Sequence, residues 1–209
     1  MEKNPFKWPL AVIVGILVWC TDLFFNLTAY LLWPTGDFSP LTNWHSDLGN
    51  SKMNTPLGAQ FYNCGQVFQG LAIILFSGGL FVYYMEDKWK DTLLKIGQFT
   101  GFLVGIGLIM NGIYSEDFGQ AHSDWSQVIF ISIVLTEFLV NAALLKNTKF
   151  KKSIAYFGFT AGIINLLMVV FYIPEPFYYL IEYIAIYTAE IWLGFVAINI
   201  FKNEVLSKE

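Results

Sequence analysis

The chain has no arginine, two histidines and two cysteines among its 209 residues. Charged residues make up only 13% of it, against about 25% in an ordinary soluble domain. Each shortage excludes something. There is no basic cluster interleaved with aromatics, so no nucleic-acid partner is expected. Cys20 and Cys64 lie in separate apolar runs and form no C-x-x-C pair, which removes a thiol–disulfide enzyme and leaves two buried structural thiols as the reading.

What is abundant is apolar surface. Hydrophobic residues are 56% of the chain and aromatics 18%. They gather in runs near the length of about 20 residues that a helix needs to cross a bilayer. The expected fold is an all-α integral membrane protein, a single six-transmembrane-helix bundle over residues 1–209. Its spans fall at about 9–33, 57–84, 96–114, 126–145, 153–173 and 177–201. The breaks have chemical causes. Pro34 and Pro40 bracket a stretch that cannot continue the first helix, and Thr55-Pro56 reads as a cap followed by proline at the first helical position. "EDKWKDTLLK" is a charged loop with its own small helical pattern, "KNTKFKK" is another charged break, and "IPEP" is a tight turn. The first helix continues to Trp33 without a small-residue cleavage site, so it reads as a span and not as a signal peptide. No lysine falls inside a span, which excludes a retinal Schiff base.

Lysine placement predicts the orientation. Lys3, Lys7, Lys88, Lys90, Lys95, Lys146, Lys149, Lys151, Lys152, Lys202 and Lys208 fall on one side of the predicted membrane, and Lys52 alone on the other. Positive loops stay in the cytoplasm, so both termini are expected there, in a multi-pass protein of the cell membrane. The outer side is then acidic, with Asp37, Asp47, Glu116, Asp117, Asp124 and Glu175, and it holds both histidines. The long first outer loop, residues 34–55, is expected to pack over the bundle through Leu41, Trp44 and Leu48.

Both histidines occur in the same phrase, His45-Ser46-Asp47 and His122-Ser123-Asp124. Two H-x-D units on one face can offer imidazoles and carboxylates to a divalent metal, with His45, Asp47, Glu116, His122 and Asp124 as the available ligands. The competing reading is that Ser123 and Asp124 cap the fourth helix while Asp47 locks its own loop. Within the spans, polar residues recur at helical spacing. Asp22 and Asn26 are four apart, as are Glu137 and Asn141, and Asn63, Gln66 and Gln69 follow one face. Asn111, Glu182 and Glu190 complete the set. Amides and carboxylates can simply join helices by hydrogen bonds. Four buried carboxylates without an intramembrane cation ask for more, because each needs a proton, a donor or a cation. Glycines four apart in "GQFTGFLVG" read as close helix packing.

The stretch "HSDLGNSKMNTPLGAQFYNCGQVFQG", residues 45–70, resembles the signature of the DUF998 family of membrane proteins. The likeness rests on Ser46, Asp47, Leu48, Gly49, Pro56, Phe61, Tyr62 and Asn63. A second segment, residues 107–130, is similar through Gly107, Gly112, Glu116 and His122. The resemblance implies six helices and a shared cluster on the outer face, and it implies no reaction. The alkaline ceramidase and adiponectin-receptor superfamily also places Ser, Asp and His at span ends. That superfamily uses a third histidine and an H-x-x-x-H pair, and this chain has neither.

Two functions follow as expectations. In one, an outward-facing polar cavity lined by Asp22, Asn26, Asn63, Gln66, Asn111, Glu137, Asn141, Glu182 and Glu190 binds a small molecule, lipid or cation, as a transporter or receptor does. In the other, Ser46, Asp47, Glu116 and His122 form a metal-assisted or acid–base site that hydrolyses a lipid or amphiphile. Under either, Asp47 and His122 are expected to meet, with Glu116 beside them.

Overall fold

A computed structural model describes residues 5–34, 36, 38–170 and 177–206. Among these residues the secondary structure is helical throughout. The six long helices are α1 (Leu10–Leu31), α2 (Pro56–Gly79), α3 (Lys88–Ile113), α4 (Gln120–Leu144), α5 (Lys152–Val170) and α6 (Phe177–Glu204). All six are long and apolar enough to cross a membrane. The shortest has 19 residues, which is about 28 Å at 1.5 Å per residue, close to the hydrocarbon thickness. The chain is a multi-pass membrane protein.

Each helix packs on its neighbour in sequence, and α6 returns to pack on α1, so the six close a ring. Glycine sets the tightest crossing. A methyl group on Gly70 of α2 would stand 2.5 Å from the Gly105 carbonyl oxygen of α3, and one on Gly105 would stand 2.6 Å from the Gly70 oxygen. Only glycine lets these two backbones meet. Large apolar side chains such as Leu23, Phe24, Phe68, Phe81 and Phe99 point outward, as lipid requires.

The ring has two unlike ends. At the end carrying the termini, Val14, Phe76, Leu80, Leu94, Leu144, Val196 and Ile200 fill the centre with an apolar core. At the end carrying the α1–α2 and α3–α4 loops, the apolar cluster shrinks to Ala29, Leu48 and Tyr62, flanked by Trp33, Phe38 and Phe61. Polar side chains occupy the space left between these two ends.

Two helices begin earlier than expected. α3 starts at Lys88, not 96. The charged stretch, which reads as a loop with a small helical pattern of its own, is continuous with the span as its first two turns from Lys88, capped by Asp87 accepting from the Lys90 N–H at 3.3 Å. Its pairs Lys90–Asp87 and Lys95–Asp91, at 2.9 and 2.6 Å, follow helical spacing. α4 starts at Gln120, not 126, after Gly119 turns the chain with φ at +55°. The cap at Thr55 is as expected: its hydroxyl accepts from the Gly58 N–H at 3.1 Å, and Pro56 takes the first position. α5 ends at Val170 among the described residues; the expected end at 173 and the "IPEP" turn lie outside them, as do Asp37 and Glu175. Cys20 and Cys64 are free thiols exposed on helix surfaces, not buried in the core.

Candidate functional site

The space inside the ring is a cavity of about 120 Å³. His45 and Ser46 line one end of it, and Phe76 and Leu80 of the apolar core line the other. Seven of the polar residues singled out in the spans share its wall: Asp22, Gln66, Gln69, Asn111, Glu137, Glu182 and Glu190. They come from α1, α2, α3, α4 and α6, so the bundle converges its polar faces on one volume.

The three other spacing candidates support this wall from behind. Asn26 donates to Asp22. Asn63 donates to the Gly49 carbonyl at 3.0 Å and so holds the loop, not the cavity floor. Asn141 is fully buried; it donates to the Glu137 carbonyl at 2.6 Å and accepts from the Trp192 indole at 3.1 Å. The wall is incompletely satisfied. Glu137 is 1% exposed and accepts from Asn165 at 3.3 Å through one oxygen, while its Oε1 has no hydrogen-bond partner. Glu190 is 6% exposed and accepts from Gln69 through Oε1, while its Oε2 has none.

His45 reaches the cavity because its loop folds inward. Residues His45–Gly49 form a 3-10 turn whose His45, Asp47, Leu48 and Gly49 are buried. Trp44 anchors the turn edge-on against Tyr178 and Tyr179, at 4.7 and 4.8 Å between centroids. Asn54 ties it to α1, donating to the Ala29 and Leu48 carbonyls at 3.1 and 2.8 Å. Leu41, expected as an anchor, is 47% exposed. The His45 N–H donates to Glu182 Oε2 at 2.7 Å. Its ring packs edge-on with Tyr62, Tyr183 and Tyr187.

The imidazole hydrogen bonds assign a tautomer. Asn26 Nδ2 donates to Asp22 and stands 3.4 Å from His45 Nε2, which must therefore accept. The ring proton then sits on Nδ1 and goes to the Tyr62 oxygen at 2.9 Å. Tyr62 keeps its own hydroxyl proton for the cavity it lines. A neutral ring is what this network needs, and burial pushes His45 down to about 4.

Asp47 does not face the cavity. Its Oδ2 accepts from the Trp44 N–H at 3.0 Å and from Asn43 at 3.2 Å, so the carboxylate locks its own turn. It also meets Glu116, the first residue of a 3-10 turn in the α3–α4 loop (Glu116–Phe118). Burial pushes Glu116 up to about 8; the Asp47 charge, the hydrogen bond to Asp47 and the Glu182 charge push the same way, and a hydrogen bond from Asn50 opposes them. Beside this pair, Asp117 accepts from the Ser51 N–H at 3.2 Å and the Ser51 hydroxyl at 3.0 Å, which joins the two loops a second time.

The second histidine goes elsewhere. His122 lies in the first turn of α4, and its Nδ1 pairs with the Tyr114 carbonyl at 3.0 Å instead of Asp47. Asp124 is exposed and accepts from Gln120 at 2.8 Å along the same helix. It does not cap α4, whose first residue follows Gly119. Because the early start of α4 turns this phrase into helix, the two H-x-D units do not converge. Among the described residues, no three His, Cys, Asp or Glu side chains stand where they would hold a metal ion. The five metal candidates, His45, Asp47, Glu116, His122 and Asp124, are therefore not one ligand set.

The family model of DUF998, proteins of unknown function, matches residues 12–199. The chain belongs to the DUF998 family. No curated protein and no solved structure matches it. In this DUF998 protein the matched range takes in both interlocking loops and nearly all of the bundle.

Several residues of the cavity region escape a sequence reading. Asn165 and Trp192 complete the Glu137–Asn141 network, and Tyr183 and Tyr187 enclose His45. A signal for the tyrosines exists: Tyr183, Tyr187 and Glu190 are four and three residues apart on α6, hence on one face. Asn165 is a lone amide in an apolar run, a residue type that membrane helices turn toward a partner.

Proposed function

We propose that this DUF998 protein binds a small molecule or cation in its central cavity, as a transporter or receptor does. The observation that carries this reading is the pair of unpartnered buried oxygens, Glu137 Oε1 and Glu190 Oε2, on the wall of one cavity. A buried carboxylate oxygen without a donor is costly, and a ligand that brings donors or positive charge removes that cost. The rest of the wall is largely aliphatic and aromatic, including Ile73, Phe76, Val104 and Ile133. Apolar walls with a few placed polar groups are the usual make-up of a small-molecule site.

The lysine asymmetry supports an outward-facing site in the cell membrane. It puts the loop end of the bundle outside, where His45 and Ser46 line the cavity. The apolar core then closes the cytoplasmic half. What favours binding over hydrolysis is that no metal-ligand set converges among the described residues and that His122 pairs with the Tyr114 carbonyl.

Native mass spectrometry of the full chain, purified from membranes, tests the reading. The wild type should carry a small non-lipid adduct of constant mass. That adduct should be lost when Glu137→Gln and Glu190→Gln are combined, which keeps shape and removes charge. No adduct under conditions that retain lipid, or the same adduct in the double variant, would contradict it.

A further inference from the structure

Asp22 of α1 and Glu190 of α6 both line the cavity and lie within electrostatic reach of one another. The groups around them are nearly all neutral or acidic. From α1, Asn26 donates to Asp22. From α2, Gln69 donates to Glu190, and Tyr62 is within reach of Asp22. From the loop, neutral His45 shares Asn26 with Asp22. From α6, Tyr187 is within reach of both carboxyls, and Glu182 lies about 12 Å nearer the loop end, two turns and a fraction along the helix. From α4, Glu137 adds a further carboxyl to the same wall. Among the described residues, no lysine lines the cavity. Two carboxyls thus have one amide donor each and no cation between them. The second oxygen of Glu190, on a residue 6% exposed, has no donor among the described residues.

We infer that Asp22 and Glu190 hold one proton between them and exchange it for a small organic ammonium ion with an apolar body. This deepens the cavity-binding reading and rests on it. Two like charges on the wall of one cavity in a bundle interior do not both ionise without compensation, so the empty site keeps one acid and one carboxylate. When an ammonium ion enters, its charge replaces the proton. The acid ionises, the proton leaves to water, and the amine stays protonated between two carboxylates. The site goes from one negative charge to two, the ligand brings one positive charge and the proton carries one away. No covalent bond other than the O–H is broken. The apolar body fits beside Ile73, Phe76 and Val104. The size agrees as well: an apolar cavity of about 150 Å³ holds benzene, and this one is about 120 Å³.

The probe is n-butylammonium chloride, with 1-butanol as its neutral counterpart. Calorimetric titration of the detergent-solubilised full chain at neutral pH, in phosphate and in HEPES, counts protons from the difference in buffer heats. Saturable binding of the amine should release about one proton per amine. Butanol should bind at least about tenfold more weakly. Proton release should fall towards zero in Glu190→Gln and in Asp22→Asn. Amine binding without proton release, or with release unchanged in both variants, overturns the exchange and leaves the cavity reading standing. Butanol binding as well as the amine overturns the cationic ligand. No binding of either overturns the ammonium assignment, and the cavity reading is then decided by the mass-spectrometric adduct. The wild-type proton count is read without the variants, so a variant that fails to fold does not remove the test.

Discussion

The carboxyl of Glu116 meets the carboxyl of Asp47 where the two outer loops interlock. This contact joins the α3–α4 loop to the turn that carries His45 into the cavity. Two carboxyls share a hydrogen bond only when one is protonated, because two carboxylates offer acceptors alone. Asp47 already accepts from Asn43 and the Trp44 N–H, and burial pushes Glu116 up to about 8. The proton therefore belongs to Glu116.

That assignment gives a pH dependence. Glu116 rises from an ordinary 4.5 to about 8, so between those values the folded chain holds a proton that the unfolded chain has released. Stability falls as pH rises through the window and is lowest above it. Glu116→Gln keeps a donor for Asp47 and should remove this contribution to the fall. Melting followed by tryptophan fluorescence across the window from 4.5 to about 8 measures this, and a parallel fall in wild type and variant would refute it.

His45 acts in the opposite direction. It drops from an ordinary 6.5 to about 4, so between those values the unfolded chain binds a proton that the folded chain does not. Stability rises with pH through that window and is lost as pH falls through it. Where the two windows overlap the slopes oppose each other, so in the wild type each contribution partly masks the other. Glu116→Gln should uncover the His45 rise, and His45→Gln should uncover the Glu116 fall. Melting curves of both variants across the acid range check this; a flat profile in either one contradicts the corresponding assignment.

The Gly70–Gly105 crossing predicts a sharp contrast among glycines. Gly105→Ala places a methyl group 2.6 Å from a backbone oxygen that cannot move alone, and should cost about 1–3 kcal/mol, as overpacking does. Gly78→Ala meets nothing nearer than the Phe102 ring at 3.9 Å and should be neutral or mildly stabilising. Denaturation of both variants in the same detergent compares them directly. Equal stability would mean that α2 and α3 can separate without cost.

Topology is testable at Ser46. With eleven of the twelve lysines on the other side, Ser46→Cys in a chain lacking Cys20 and Cys64 should react with a membrane-impermeant maleimide on intact cells. A cysteine at residue 209 should react only after lysis. The reverse pattern would invert the bundle and place the cavity mouth in the cytoplasm.

Much of the bundle is legible in the chain because a bilayer leaves the backbone few options. An apolar run must be helical to satisfy its own N–H and C=O groups, so composition and length suffice to place six helices. The same rule loses force where helices leave the lipid. Lys88–Lys95 and Gln120–Asp124 are polar enough to read as loop, yet they are helix, held by contacts such as Asp87 to Lys90 and Gln120 to Asp124. Hydropathy reports where lipid begins and not where a helix does.

The candidate site divides along the same line. Helical spacing alone groups Asp22 with Asn26 and Glu137 with Asn141, since residues four apart must share a face. It does not say which member reaches the cavity. Asp22 and Glu137 line it, while Asn26 and Asn141 are turned to partners behind the wall, because the ring of neighbours sets each helix's rotation. The loops carry no periodicity at all. The phrase His-Ser-Asp occurs twice in the chain with the same local chemistry. One copy becomes a buried 3-10 turn pinned by Asn54, Trp44 and Glu182, and the other the first turn of a helix facing Tyr114. By itself the sequence determined the membrane, the six helices and which faces are polar, because those follow from local composition and helical period. Only the tertiary structure decided that His45 enters the cavity, that His122 does not, and that Asp47 meets Glu116, because each depends on contacts between segments far apart in the chain.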